Sequence, residues 1–329
     1  MMDKLVAEFP AQLEEALQIG TAAKIRPHNQ PIYKAHAAGL GGSGIGANFV
    51  QSFIRSECSI PYTVSKGYTT PSHVDQHTLA IASSYSGNTE ETLASFQEYL
   101  ASGAKVVVIA SGGKLIEAAK EHDLDYIQLP SGKPSPRACL GYSLVQQLFI
   151  FNKLGFIGDT LIQQVADSAK QLAAQQSAIQ EEANSVAKAL QGTLPIIYAT
   201  DRISPVAIRF RQQLNENSKM LCWHHILPEM NHNELVGWKF GIPNSAVVYL
   251  RNEDDLHRNQ VRIGINQEII RPLTGKILEI HSQGKSLLGR SMYLVHLVDW
   301  VSVYLAELNE VDASEIEVID YLKGELAKV

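Results

Sequence analysis

Cysteine is scarce in this chain: three in 329 residues, Cys58, Cys139 and Cys222. An odd number at such wide spacing builds no disulfide framework and fits the reduced thiols of a cytoplasmic protein. Basic charge is short as well, with 28 Lys and Arg against 34 Asp and Glu and a formal net charge of −6. With no basic stripe to offset it, that balance argues against nucleic acid or an anionic membrane as partner. No apolar run reaches the roughly eighteen residues of a membrane span. The N-terminal MMDKLVAEFPAQLEEAL interleaves acids with apolar residues, which describes an amphipathic helix over residues 3–19 rather than a signal peptide. Apolar residues, by contrast, make up 45% of the chain, enough for well-buried cores in one large domain or two ordinary ones.

Those residues fall into short runs of strand length. KAHAAGL (34–40), SIPYTVS (59–65), HTLAIASS (77–84), AKVVVIAS (104–111) and LDYIQLP (124–130) read as buried strands. Helical patterns at 46–56, 91–102 and 113–122 separate them, and another near 138–154 follows Pro136. Such alternation predicts an α/β fold with a mainly parallel sheet flanked by helices on both faces. An Ala- and Gln-rich helical stretch over 160–193 reads as a connection. The pattern then restarts, with strands at 194–200, 245–251 and 276–282 and helices at 204–217, 257–270 and 286–308. The expectation is two α/β domains of one architecture, residues 1–155 and 156–329, without a residue-level repeat.

Two segments at strand-to-helix junctions are rich in glycine and hydroxyls. The first, GLGGSGIG (39–46), offers the backbone at Gly42 and the hydroxyl of Ser43; N–H groups at a helix N-terminus face an anion. The second, SSYSGNTEET (83–92), places Ser84, Ser86 and Thr89 where three donors can meet one phosphate. Neither carries the lysine of GxxxxGK[ST]. Gly39, Gly41 and Gly44 also satisfy GxGxxG, but the acid expected about 20 residues on is missing; that place reads VSKGY. Tight turns that need glycine are the plain alternative.

Residues 212–238, QQLNENSKMLCWHHILPEMNHNELVGW, hold Glu216, Glu229, Glu234, His224, His225 and His232 with no helical or strand period. Titratable groups so dense between apolar segments suggest proton transfer. A metal site is the other use of such residues, but the spacing is not HExxH and supplies no recognised ligand set.

The two hydroxyl loops together resemble a sugar-isomerase (SIS) domain, over roughly residues 34–150. With GKPSPRACLGYS (132–143), QLNENSKM (213–220) and PEMNHNELVGW (228–238), the whole chain resembles the bifunctional phosphoglucose/phosphomannose isomerase family. The resemblance implies two SIS-type domains, a sugar-phosphate substrate, no metal or other cofactor, and a homodimer whose His232 completes the neighbour's site. It implies Glu216 as the base, His232 in ring opening, Arg137 at the enediolate and Lys323 as a further substrate contact. The family places a threonine ahead of the tail lysine; here the neighbourhood reads ASEIEVID, with Ile316 at that place and Ser314 nearby. This bulkier side chain argues against equal use of the mannose epimer. Two other functions stay open on the residues alone: an aminosugar-phosphate isomerase or deaminating relative of the same fold, and a non-catalytic sugar-phosphate sensor. A sensor would need the hydroxyl loops but not Glu216, His232 and Lys323.

Overall fold

The computed structural model describes residues 1–328. The chain runs through α1 (Met2–Ala7), α2 (Phe9–Ala22), β1 (Lys34–Ala38), α3 (Gly41–Ile54), β2 (Tyr62–Ser65), β3 (Thr78–Ser83), α4 (Glu90–Ser102), β4 (Lys105–Ala110), α5 (Gly113–Glu121), β5 (Asp125–Gln128), α6 (Leu140–Lys153) and the long α7 (Thr160–Leu190). It continues through β6 (Leu194–Thr200), α8 (Ser204–Glu216), β7 (Trp223–Leu227), the one-turn α9 (Glu234–Gly237), β8 (Ile242–Arg251), α10 (His257–Ile270), β9 (Thr274–His281), α11 (Leu287–Leu308) and α12 (Glu317–Leu326). Two compact units result: Glu8–Ala173, here the N-terminal unit, and Met1–Ala7 with the chain from Ala174 onward, here the C-terminal unit. The division falls within α7.

The N-terminal unit is a five-stranded sheet in the order β2-β1-β3-β4-β5, parallel throughout. β3 and β4 are buried along their whole length, which is why their sequences read as continuous apolar runs rather than alternating ones. On one face Phe96 and Tyr99 of α4 and Leu115 and Ile116 of α5 pack on Ala80, Ala82, Val106 and Val108. Elsewhere in the unit α6 packs against both α2 and α3.

The C-terminal unit is a four-stranded sheet in the order β7-β6-β8-β9, again parallel. Position for position, this repeats the order β2-β1-β3-β4. Tyr198, Val247 and Tyr249 meet Met230, Trp238, Ile263 and Ile270 on one face, and α11 packs against α8. The α/β alternation expected from the sequence is therefore present in both halves.

Three local expectations change. The N-terminal helix is two helices, broken at Glu8, with Pro10 in the first turn of α2, where its missing N–H removes no helical bond. The glycine segment is not a loop before a helix: α3 begins at Gly41, so the glycines form its first turns. The stretch that lacks a period contains an edge strand. β7 reads WHHIL, is mostly half-buried and pairs with β6, and its two histidines hide the hydrophobic alternation.

Candidate active site

In the N-terminal unit the two hydroxyl segments follow neighbouring strands, β1 and β3, at their carboxyl ends. The glycines of α3 are there for close approach: a Cβ on Gly44 would lie 2.3 Å from the carbonyl oxygen of Gly39. Ser43 is buried in that first turn. After β3, Ser84 is 2% exposed and forms the centre of a hydroxyl cluster. Its Oγ lies 2.7 Å from Thr89 Oγ1 and 3.4 Å from Ser86 Oγ. Gly87 N donates to Ser84 Oγ and Asn88 N to Ser86 Oγ, each at 3.2 Å. The three hydroxyls of the predicted set are thus brought together. Gly87 holds the turn at φ +70 against the next loop, where a Cβ would fall 1.9 Å from Gly112 O. Lys114 N donates to Asn88 Oδ1 at 3.1 Å. Glu90 and Glu91 occupy the first turn of α4, so an anion here would rely on hydroxyls and loop amides rather than on the helix dipole.

Arg137 is 8% exposed, in a 3-10 turn (Pro136–Ala138) just before α6. That turn rests on the glycine segment: Pro136 O lies 3.2 Å from where a Gly42 Cβ would be. Buried Gln12 of α2 fixes it, donating to Ala138 O at 2.8 Å and accepting from Gly141 N at 2.7 Å. Tyr85, inside the hydroxyl loop, donates to Pro130 O at 2.8 Å and accepts from Lys133 N at 3.3 Å. Gly42, Ser43, Arg137 and the hydroxyl loop therefore share one rigid edge. The sequence reading missed Lys66, just past β2. Its Cε lies 3.1 Å from a Cβ placed on Gly44, and its ammonium donates to Asn48 Oδ1 at 2.5 Å. Its signal was available: a lysine stands where a dinucleotide fold would put an acid.

In the C-terminal unit Glu216 is the last residue of α8. A row of polar contacts fixes that helix to α11. Arg209 donates to both carboxylate oxygens of Asp299, at 2.9 and 2.5 Å, with both side chains buried. Asn217 donates to Ser302 Oγ at 2.9 Å and Ser218 to Ser302 O at 2.7 Å. Asn215 donates to Met220 O at 2.7 Å. Glu216 borders a pocket of about 310 Å³ that Met220, Leu221, Ile316, Val318 and Ile319 wall with apolar groups. Ile316 thus lies where its bulk can matter. Lys323 is 68% exposed and sits 3.9 Å from Asp320 on α12; it shares a helix face with Ile316 and Ile319 at spacings of seven and four residues. It lies one turn beyond the pocket wall rather than within it.

His232 is exposed at the end of a 3-10 turn (Glu229–His232) past β7. Glu216 precedes β7 and His232 follows it, so the two stand at opposite edges of one sheet, separated by the length of the strand, roughly 13 Å. The structure does not bring them together within one chain. Glu234 has a structural role instead. It accepts from Tyr198 Oη at 2.5 Å and Trp223 Nε1 at 3.1 Å, while Trp238 Nε1 donates to Tyr198 Oη at 2.9 Å. Burial, followed by the Glu234 carboxylate, pushes the Tyr198 phenol well up, keeping it a donor. His225 Nδ1 lies 3.2 Å from Glu234 Oε2, within pairing distance for a protonated ring but outside hydrogen-bond geometry. Glu229 is exposed and accepts from Asn233 at 3.0 Å. Among the described residues no three His, Cys, Asp or Glu side chains converge as a metal site would need.

Comparison with known proteins bears on the family and the fold. The bacterial phospho-glucose isomerase C-terminal SIS domain profile matches residues 179–326. The chain is 38% identical, over 100% of its length and 99% of the other's, to the bifunctional phosphoglucose/phosphomannose isomerase of Caldicellulosiruptor bescii. It is 38% identical over 88% of its length to the enzyme of the same name from Aquifex aeolicus, of which 89% is covered. Among solved structures, the C-terminal domain of glucosamine-fructose-6-phosphate aminotransferase from Francisella tularensis superposes with a TM-score of 0.77 at 15% identity, covering 95% of this chain and 98% of that one. At that identity the match speaks for the SIS fold alone.

Proposed function

This chain belongs to the bifunctional phosphoglucose/phosphomannose isomerase family, and from that premise we propose that it interconverts glucose 6-phosphate, and its epimer mannose 6-phosphate, with fructose 6-phosphate through an enediolate. The observation that carries the reading is the hydroxyl cluster of Ser84, Ser86 and Thr89 after β3, joined by Gly42 and Ser43 as the seat of the substrate phosphate. Glu216 is the base. It takes the proton from C2 of the open-chain aldose and returns it at C1, while the proton on O2 passes to O1 and the carbonyl moves from C1 to C2. Arg137 stabilises the negative charge that develops on those oxygens, a task suited to a fixed guanidinium. His232 moves the anomeric proton to the ring oxygen to open the hexose, and Lys323 contacts the substrate. The reaction is redox-neutral, and no step calls on a metal or a redox cofactor.

His232 acts in the site of a second copy. Its separation from Glu216 by the length of β7 supports this. So does the apolar surface around it, with Val236 77% and Phe240 91% exposed. Trp223 and Trp238, the other large aromatics of this stretch, are spent inside the chain on Glu234 and Tyr198. The non-catalytic sensor is disfavoured because it gives no reason to build a pocket at Glu216. Ile316 in the wall of that pocket favours glucose 6-phosphate over mannose 6-phosphate. A coupled assay with each aldose phosphate tests the reading. Turnover of glucose 6-phosphate without added metal is expected, and no turnover of either would refute it.

A further inference from the structure

Lys219 stands three residues past Glu216 and turns the chain out of α8 in the left-handed region, φ +57. A side chain other than glycine or asparagine is unusual there and costs on the order of 1 kcal/mol. Its ammonium explains why a lysine is present. It donates to the main-chain oxygen of Glu216 at 2.6 Å and to that of Glu315 at 2.7 Å, with a Glu315 carboxylate oxygen 3.7 Å away. An ammonium has three donors. Two are spent on carbonyls, and a carboxylate stands near the third, so most of what this ammonium can donate is used within the chain, at the border of the pocket that Lys219 helps to line.

Its two carbonyl partners are the end of the helix that carries Glu216 and the residue just before Ile316, where α12 begins. No described residue of α12 is buried. Several other bonds of its lead-in are local: Ser314 N to Asp312 Oδ1 at 2.7 Å, Glu315 N to Asp312 O at 3.4 Å, and Ile319 N to Ile316 O at 2.8 Å. A weakly packed helix would otherwise drift from the pocket that its residues Ile316, Val318 and Ile319 help to wall.

We propose that Lys219 is a positioning residue. It pins the start of α12 to the C-terminus of α8, and so sets where the Ile316 wall and Lys323 stand relative to Glu216. The kinetic consequence rests on the isomerase reading; the mechanical one does not. Two readouts test it on the full-length protein: amide hydrogen exchange over residues 312–326 and kcat/KM for fructose 6-phosphate. Lys219→Gly and Lys219→Asn both suit the left-handed backbone and both remove the ammonium, so the turn is preserved while the pin is lost. Exchange in the segment is expected to rise at least about tenfold and kcat/KM to fall between about tenfold and a hundredfold, with most activity kept by Lys219→Arg. The double variant Lys219→Gly/Lys323→Met is expected to be no worse than Lys323→Met, because the pin acts through the helix that carries Lys323. Unchanged exchange in both ammonium-free variants would overturn the proposal, as would penalties that multiply in the double variant. A wild-type protein that isomerises neither sugar would refute the isomerase reading instead, and the exchange result would still decide the pin.

Discussion

The two sheets share a strand order, yet their carboxyl edges are opposites. After β1 and β3 the chain places glycine, Ser84, Ser86 and Thr89, groups that can donate to an anion from outside. After the matching strands β6 and β8 it places its own anions and its own cations. Arg290, buried, donates to Asn252 Oδ1 at 2.8 Å and pairs with Asp254 at 2.5 Å, and Arg202 reaches Asp254 at 3.3 Å. Asp255 accepts from Thr200 Oγ1 at 2.7 Å and Asn252 Nδ2 at 3.0 Å. Burial works against the Asp254 charge, but the Asn252 bond and the Arg290 cation hold its carboxyl below the usual range, whereas burial pushes that of Asp255 up. A phosphate arriving at this second edge would have to displace Asp254 from Arg290. One topology thus yields a receptive edge and a self-neutralised one, and the loops alone decide which.

The C-terminal unit on this view contributes chemistry rather than phosphate binding, and the largest effect sharpens that division. Glu216→Gln keeps the shape and removes the base, so kcat should fall by roughly 10²–10⁴ with KM little changed. A near-native kcat in steady-state kinetics would end the assignment. The receptive edge should show the reverse pattern. Ser86→Ala/Thr89→Ala should raise KM for fructose 6-phosphate by at least about tenfold, the worth of two bonds to a charged group, and an unchanged KM would remove the phosphate from this loop. The self-neutralised edge should show neither. Arg290→Met leaves Asn252 Oδ1 without its partner and should cost about 2 kcal/mol in denaturant unfolding while leaving KM as it was; a KM shift as large as that of the hydroxyl variant would break the comparison.

A smaller test asks whether the units also differ in acid. Each buries a neutral histidine, His36 in the N-terminal unit and His296 in the C-terminal one, and burial pushes both down to about 4. The charged form is disfavoured only when folded, so between pH 6.5 and 4 the unfolded chain binds more protons. The stability from each ring is complete above about pH 6.5 and is lost as pH falls toward 4. Melting temperature should decline over that window, and His36→Gln with His296→Gln should flatten the decline. An equal slope in the double variant would exclude both rings as its cause.

How far the sequence goes depends on how local the cause is. Buried parallel strands announce themselves because β3 and β4 carry unbroken apolar runs, Leu79–Ala82 and Val106–Ala110, and the hydroxyl loop is legible because its donors lie within six consecutive residues. The break between α1 and α2 is legible only in hindsight, since Pro10 is equally at home in a first turn and in a kink. β7 is hidden because histidines occupy two of its five positions and break the apolar run a strand would show. Glu234 looked catalytic by composition. Its occupation by Tyr198, 36 residues away, is a tertiary fact that no spacing encodes. Lys219 is silent in the sequence for the same reason: Glu315, the partner that gives it meaning, lies 96 residues on.

The placement of Glu216 and His232 at opposite ends of β7 reaches into genetics. If each working site borrows its histidine from a neighbour, the defect of one allele need not lie in the same site as that of another. A Glu216→Gln subunit and a His232→Ala subunit, each dead as a homodimer, should pair into a heterodimer in which one site collects both lesions and the other collects none. With random pairing half the dimers are mixed and half of their sites are whole, so a cell carrying both alleles should recover about a quarter of wild-type activity. Two null mutations would then complement within a single gene.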